Sequence, residues 1–439
     1  MTEGETFTLE DVQSSLSAET ALVGWLDVDF PGVERNAWAY VVRSSGPVNW
    51  ARLALIDGEE SSSSGRLRGF RWGLADPQTP PSILDRDARA LWRERIEPIE
   101  PFLEGVSELV VVPSGSVLGV PVEALISPDG AALGERFAVS YAPSATVHTW
   151  LRKRTATPTG REANRALLVG DPPFAEYQLD MVEEDYVGVE SIAAQGDRIS
   201  DSALARGVLS GNPGALSSLP RLAGTLSEVE GVAGLFPEAE VLLGESASEQ
   251  ELVELAQQGE LKGFVVIHLA THALADDDHP DRSALILSQV GLPDPLEAAL
   301  SGDRIHDGVV TATEIVRQWN LDAELVTLSA CDTGLGKEVV GEGYIGLTQA
   351  FLQAGARSLL VSLWKVDDEA TSLLMRRFYE NWLAGADDGS GGSSSGRMSK
   401  AAALAEAKQW LRTRHDASGE TPYDHPYYWS SFVLIGDPR

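Results

Sequence analysis

Cysteine is almost absent: Cys331 is the one cysteine in 439 residues. A single thiol cannot close an internal disulfide, so the fold does not depend on an oxidising compartment, and a reducing one would keep the thiol active. Lysine is nearly as scarce, confined to Lys153, Lys262, Lys337, Lys365, Lys400 and Lys408. With 34 basic against 66 acidic side chains, the formal net charge is −32. That sign argues against broad contact with nucleic acid or anionic lipid and serves solubility. Long apolar runs are missing as well. Nothing approaches the roughly 20 residues needed to cross a bilayer, and the acidic start MTEGETFTLEDV lacks the n- and h-regions of a secretory signal. The expectation is a cytoplasmic protein without a membrane anchor.

Several catalytic signatures are also missing. There is no HExxH, no GxSxG elbow, no phosphate-binding glycine-rich loop and no visible internal repeat. His268 and His272 are four apart, but on a strand that spacing does not turn two imidazoles to one side as a helix would, so a zinc site is not expected. The run Asp276-Asp277-Asp278 lacks the ligand spacing of an EF-hand and reads as a solvated loop. A cysteine phosphatase would place Arg at the sixth position after its nucleophile, where this chain has Lys337. No metal and no cofactor are expected.

What is present is a chain with 43% hydrophobic residues, long enough for two or three domains. Residues 1–18 are polar and read as a loose terminus. ALVGWLDVDF, AWAYVVRS and NWARLALI then follow one another across Pro-Gly and Gly-Pro turns, as in an antiparallel meander. Further on, strands alternate with helices, which implies a parallel sheet. Residues 175–219 read as a long insertion, and DDGSGGSSSG at 387–396 as a flexible tract. Two apolar runs stand out. FVVIHLA ends in Thr271-His272, and LVTLSA ends in Cys331, so a histidine and the lone thiol close two strands. In an open parallel sheet that is the carboxyl edge, where ligands bind. A thiol beside an imidazole is the strongest neutral-pH nucleophile among side chains, although a structural cysteine and a core histidine would leave the same pattern.

The segments IHLATHA, LVTLSACDTGLG, GEGYIGLTQAFLQAGARSLLVSLWKVDDEAT, LLMRRFYENWL and HPYYWSSFVLIGD resemble successive signatures of the CHAT family. These are caspase-like cysteine peptidases of the clan that also holds caspases, metacaspases and separase. Weaker similarity runs back through LPRLAGTLSEVEGVAGL, LLVGDPPF, YAPSATV and VVVPSGSVLGVPVEAL, so it covers most of the chain. The resemblance implies a caspase-like α/β domain over 159–439, a mainly parallel sheet flanked by helices on both faces. A smaller β-rich or α+β region at 19–158, akin to a degenerate peptidase half, would pack against it.

The resemblance also implies roles. Cys331 is the nucleophile and His272 the base, with the backbone N–H groups of Ala273 and Cys331 as the oxyanion hole; the family usually has Gly where this chain has Ala273. His268 is read as packing or support. Asp368 aligns with an aspartate that recognises a basic P1 side chain in separase, and Asp367, Glu342 and Asp332 are further substrate-binding candidates. The same carboxylates at 367 and 368 precede a helix and would equally serve as caps. A protein substrate and an activating protein partner follow from the family's place in bacterial defence and programmed death, and the length of the 175–219 segment suggests cleavage there as another trigger. A catalytically inactive scaffold is the alternative reading.

Overall fold

The computed structural model describes residues 6–28, 36–54, 63–154, 165–179, 216–222, 224–276, 279–292, 300–302, 305–329, 342–364, 367–384 and 398–439, with side chains left out at 63–64 and 342–345. Its strands in chain order begin with β1 (Thr20–Val28), β2 (Asn36–Val42), β3 (Asn49–Leu53), β4 (Glu108–Val112) and β5 (Ala138–Tyr141). They continue with β6 (Arg165–Gly170), β7 (Glu238–Leu243), β8 (Val266–Ala270), β9 (Ala273–Leu274) and β10 (Ala284–Ile286). The last four are β11 (Val309–Thr311), β12 (Leu325–Ser329), β13 (Ser358–Ser362) and β14 (Phe432–Gly436). The architecture is mixed α/β: strands pair mainly in parallel and are flanked by helices.

The chain divides into two compact units, Met1–Thr157 with Arg377–Arg439, and Pro158–Arg376. In the first, β1, β2 and β3 form the expected antiparallel meander. β1 also pairs in parallel with β4, β4 with β5, and β5 with β14. Burial alternates along β2, whose one face is wet, whereas the Leu109–Val111 run of β4 is buried throughout. The sequence predicts a second domain running to Arg439. The chain instead returns at its end to the first unit, where β14 lies beside β5 and the helix Lys400–Thr413 sets Lys408 against Glu123. Residues 9–14, read as part of a loose terminus, form a helix closed by a capping box between Thr8 and Asp11.

The second unit is built on a parallel sheet in the order β13-β12-β8-β6-β7. Every residue of β8, β12 and β13 is buried, which is why these strands appear in the sequence as unbroken apolar runs. Ala270 sits level with Ser329 of β12 on one side and Gly170 of β6 on the other. Three strand ends therefore finish side by side. A small antiparallel sheet, β11-β10-β9, begins immediately after β8.

The described ends of the 175–219 insertion are tied together. Gln178 Nε2 donates to the Leu219 carbonyl at 2.9 Å, and Leu216 and Leu219 join Phe174, Leu274 and Ile286 in one apolar cluster. Residues 180–215 lie outside the described residues, as does the tract 387–396.

Candidate active site

His272 follows β8 after one intervening residue. Thr271 Oγ1 donates to the Ile286 carbonyl, and Ile286 N–H donates to the His272 carbonyl at 2.9 Å, so β10 fixes the backbone on which the imidazole is mounted. The side chain is fully buried, with its ring 5.0 Å from that of Phe174 at an interplanar angle of 52°. Nε2 lies 2.8 Å from the Pro220 carbonyl oxygen. A carbonyl can only accept, so Nε2 carries the proton and Nδ1 is the basic nitrogen. This assigns the tautomer through a contact made 52 residues away along the chain.

Cys331 and Asp332 lie outside the described residues. The strand that leads to them, β12, ends at Ser329 beside Ala270, the last residue of the strand that leads to His272. Ala273 is buried in β9 opposite Leu285. Because Ile286 bonds to His272, the Leu285–Ala273 pair is the non-hydrogen-bonded kind of an antiparallel ladder. The Ala273 N–H is thus directed away from β10, at an edge of the small sheet.

The acidic candidates separate. Asp367 is exposed and caps the helix Asp368–Leu383, its Oδ1 accepting from Ala370 N–H at 3.0 Å. Asp368 is half-buried and its Oδ2 accepts from Gly224 N–H at 3.1 Å, at the start of the helix Gly224–Ala233. Glu342 begins the helix Glu342–Ala354, and its side chain is outside the described set. His268, on β8, has Nε2 at 3.0 Å from Glu228 Oε1, both side chains buried. Among the described residues no group of three or more His, Cys, Asp or Glu is placed to hold a metal ion.

Four residues of this region escaped the sequence reading: Pro220, Arg221, Asp171 and Phe174. Asp171 was visible as the Gly-Asp-Pro punctuation after β6. Pro220 acts through its carbonyl, which every residue has, so no side-chain pattern announces it.

The family model for the CHAT domain matches residues 85–437. Among curated proteins, human tetratricopeptide repeat protein 28 is 28% identical over 215 residues, 44% of this chain and 8% of its own length. The mouse protein of the same name is 30% identical over 132 residues, 30% of this chain and 5% of its own length. The chain thus spans less than a tenth of the curated relatives it matches. Among solved structures, the Saccharomyces cerevisiae separase–securin complex aligns with a TM-score of 0.46 at 11% identity, over 98% of this chain and 30% of that one. The Arg-specific cysteine proteinase gingipain R aligns with a TM-score of 0.36 at 8% identity, over 85% of this chain and 74% of that one.

Proposed function

The chain belongs to the CHAT domain family, and on that premise we propose that it is a cysteine endopeptidase with Cys331 as nucleophile and His272 as base. The observation that carries this reading is the register of β8 and β12: Ala270 and Ser329 are side by side, and His272 and Cys331 each follow them by two residues. The Pro220 carbonyl supports it by leaving Nδ1 of His272 as the nitrogen able to take a proton.

In the proposed reaction His272 Nδ1 takes the thiol proton, and the Cys331 sulfur attacks the scissile carbonyl carbon. The backbone N–H groups of Ala273 and Cys331 hold the resulting oxyanion. The ladder geometry, which turns the Ala273 N–H out of the β9–β10 pairing, supports this even though Ala stands where the family usually has Gly. Collapse expels the amine, protonated by His272, and leaves a thioester. Water activated by the same imidazole hydrolyses it and restores the thiol.

Glu342 and Asp332 remain substrate-binding candidates; Asp367 and Asp368 enter with an oxygen already given to a helix cap or to Gly224. The substrate is a protein and the switch an activating protein partner, in keeping with a defence or programmed-death setting.

An alkylating activity probe tests the dyad. Wild type should label at Cys331, and His272→Ala should slow labelling by about a hundredfold, the scale of lost proton transfer. Cleavage of a peptide library should vanish in Cys331→Ala and supply the P1 residue. Equal labelling of wild type and His272→Ala, with no cleavage by either, would sink the peptidase and leave the scaffold.

A further inference from the structure

The segment that presents the Pro220 carbonyl is fastened by its neighbour. Arg221 forks onto Asp171, Nε to Oδ1 at 2.7 Å and Nη2 to Oδ2 at 2.6 Å, and its Nη1 donates to the Gln178 carbonyl. Gln178 accepts at Oε1 from Phe174 N–H at 2.7 Å, and Phe174 is the ring packed on His272. The ion pair is largely out of water, with side-chain exposures of 14% for Arg221 and 6% for Asp171.

Asp171 is itself held in a demanding conformation. It follows β6 directly, takes φ 53°, and donates its N–H to Thr225 Oγ1 at 2.9 Å. A left-handed backbone is tolerated by Asp and Asn better than by most residues. An exposed ion pair would contribute little. This one is bidentate, buried, and bonded to the residue adjoining the carbonyl that orients the imidazole, the arrangement by which outer groups tune an inner one.

We propose that the Arg221–Asp171 pair is a positioning device for the base: it holds the Pro220 carbonyl on Nε2 of His272 and so decides which imidazole nitrogen carries the proton. The role rests on the peptidase reading for its purpose but not for its measurement. β6 leads to Asp171, β8 leads to His272, and the two strands end level, so the device is anchored to the same sheet edge as the base.

The test uses the full chain with ¹⁵N-labelled histidine, in wild type, Asp171→Asn and Arg221→Lys. Asn tolerates the φ of 53° and matches Asp in shape, while Lys keeps the charge but loses the fork. Imidazole NMR should find His272 protonated at Nε2 in wild type and as a mixture of tautomers in both variants. Alkylation of Cys331, followed against pH, should slow by about ten- to a hundredfold with a shifted midpoint, as expected when a catalytic group is displaced by a fraction of an ångström to an ångström. Folded variants that keep the wild-type tautomer and pH profile overturn the proposal, even if they melt earlier, because the pair is then merely structural. If Arg221→Lys does not fold, Asp171→Asn decides alone. A wild-type thiol that never reacts, with tautomers that still shift in the variants, defeats the peptidase reading and leaves the positioning role standing.

Discussion

His148, in the helix Ala145–Lys153, is 1% exposed, and neither ring nitrogen has a hydrogen-bond partner among the described residues. Burial, reinforced by the charge of Arg152 and opposed by Asp437, lowers its pKa from 6.5 to about 4. The neutral form is thus the folded form, and the unfolded chain binds the extra proton. Stability from this residue is complete above pH 6.5 and is lost as pH falls from 6.5 towards 4. Urea midpoints at pH 7 and pH 5 should differ in wild type and differ less in His148→Leu; an equal pH dependence in the two would place the acid sensitivity elsewhere. In the second unit, the equally buried His268 has a carboxylate beside it. Its Nε2 lies 3.0 Å from Glu228 Oε1, with both side chains buried. Glu228→Ala, which removes that partner from a fully buried imidazole, should lower stability by about 1–3 kcal/mol in urea titration. An unchanged midpoint would show that the contact is not needed. Cys331 and His272 could be nominated because each follows an apolar run in the sequence. Arg221 and Asp171 could not, since a pair 50 residues apart leaves no local pattern.

At the scale of elements, legibility followed burial. β8, β12 and β13 are enclosed on both faces and appear as continuous apolar runs, so their existence and their order in the alternation were readable. The helix Leu9–Ser14 is not announced by its sequence although Thr8 and Asp11 stand at capping-box spacing, because fewer than two helical turns give too short a window for its apolar period. The cap at Asp367 was one of two readings left open by DDEATSLL, and the bond to Ala370 N–H is the geometry that belongs to capping. Gly224 has a consequence that no propensity scale contains. A β-carbon there would lie 2.1 Å from the Asp368 β-carbon, at the junction of two helices. Gly224→Ala must push the helix Gly224–Ala233 away from Asp368 and lose the 3.1 Å bond. The expected cost is about 1–3 kcal/mol, the usual range for overpacking, measured as a fall in the urea midpoint. A wild-type midpoint would mean that the two helix starts separate freely.

At the scale of the whole chain, what sequence order concealed is that the first unit is discontinuous. Arg377–Arg439 joins Met1–Thr157 across the intervening Pro158–Arg376, and the CHAT match over 85–437 takes in residues of both units. One contact summarises the closure. Lys408 and Glu123, 285 residues apart, meet at 2.5 Å with side-chain exposures of 8% and 5%, and the Tyr141 hydroxyl donates to the same carboxylate. Burial, with Glu123 beside it, holds the Tyr141 phenol well above its ordinary pKa, so it serves Glu123 as a neutral donor. Attraction at this depth is offset by the desolvation of both ions, so the pair's net contribution is small, while either charge left alone is costly. Lys408→Met should therefore destabilise by about 3–5 kcal/mol, whereas Lys408→Met with Glu123→Gln should recover most of that loss, since Gln still accepts from Tyr141. Urea unfolding followed by tryptophan fluorescence, arranged as a double-mutant cycle, separates the two effects. A double variant no more stable than Lys408→Met would mean that the ion pair itself, and not the avoidance of a lone buried charge, closes the discontinuous unit.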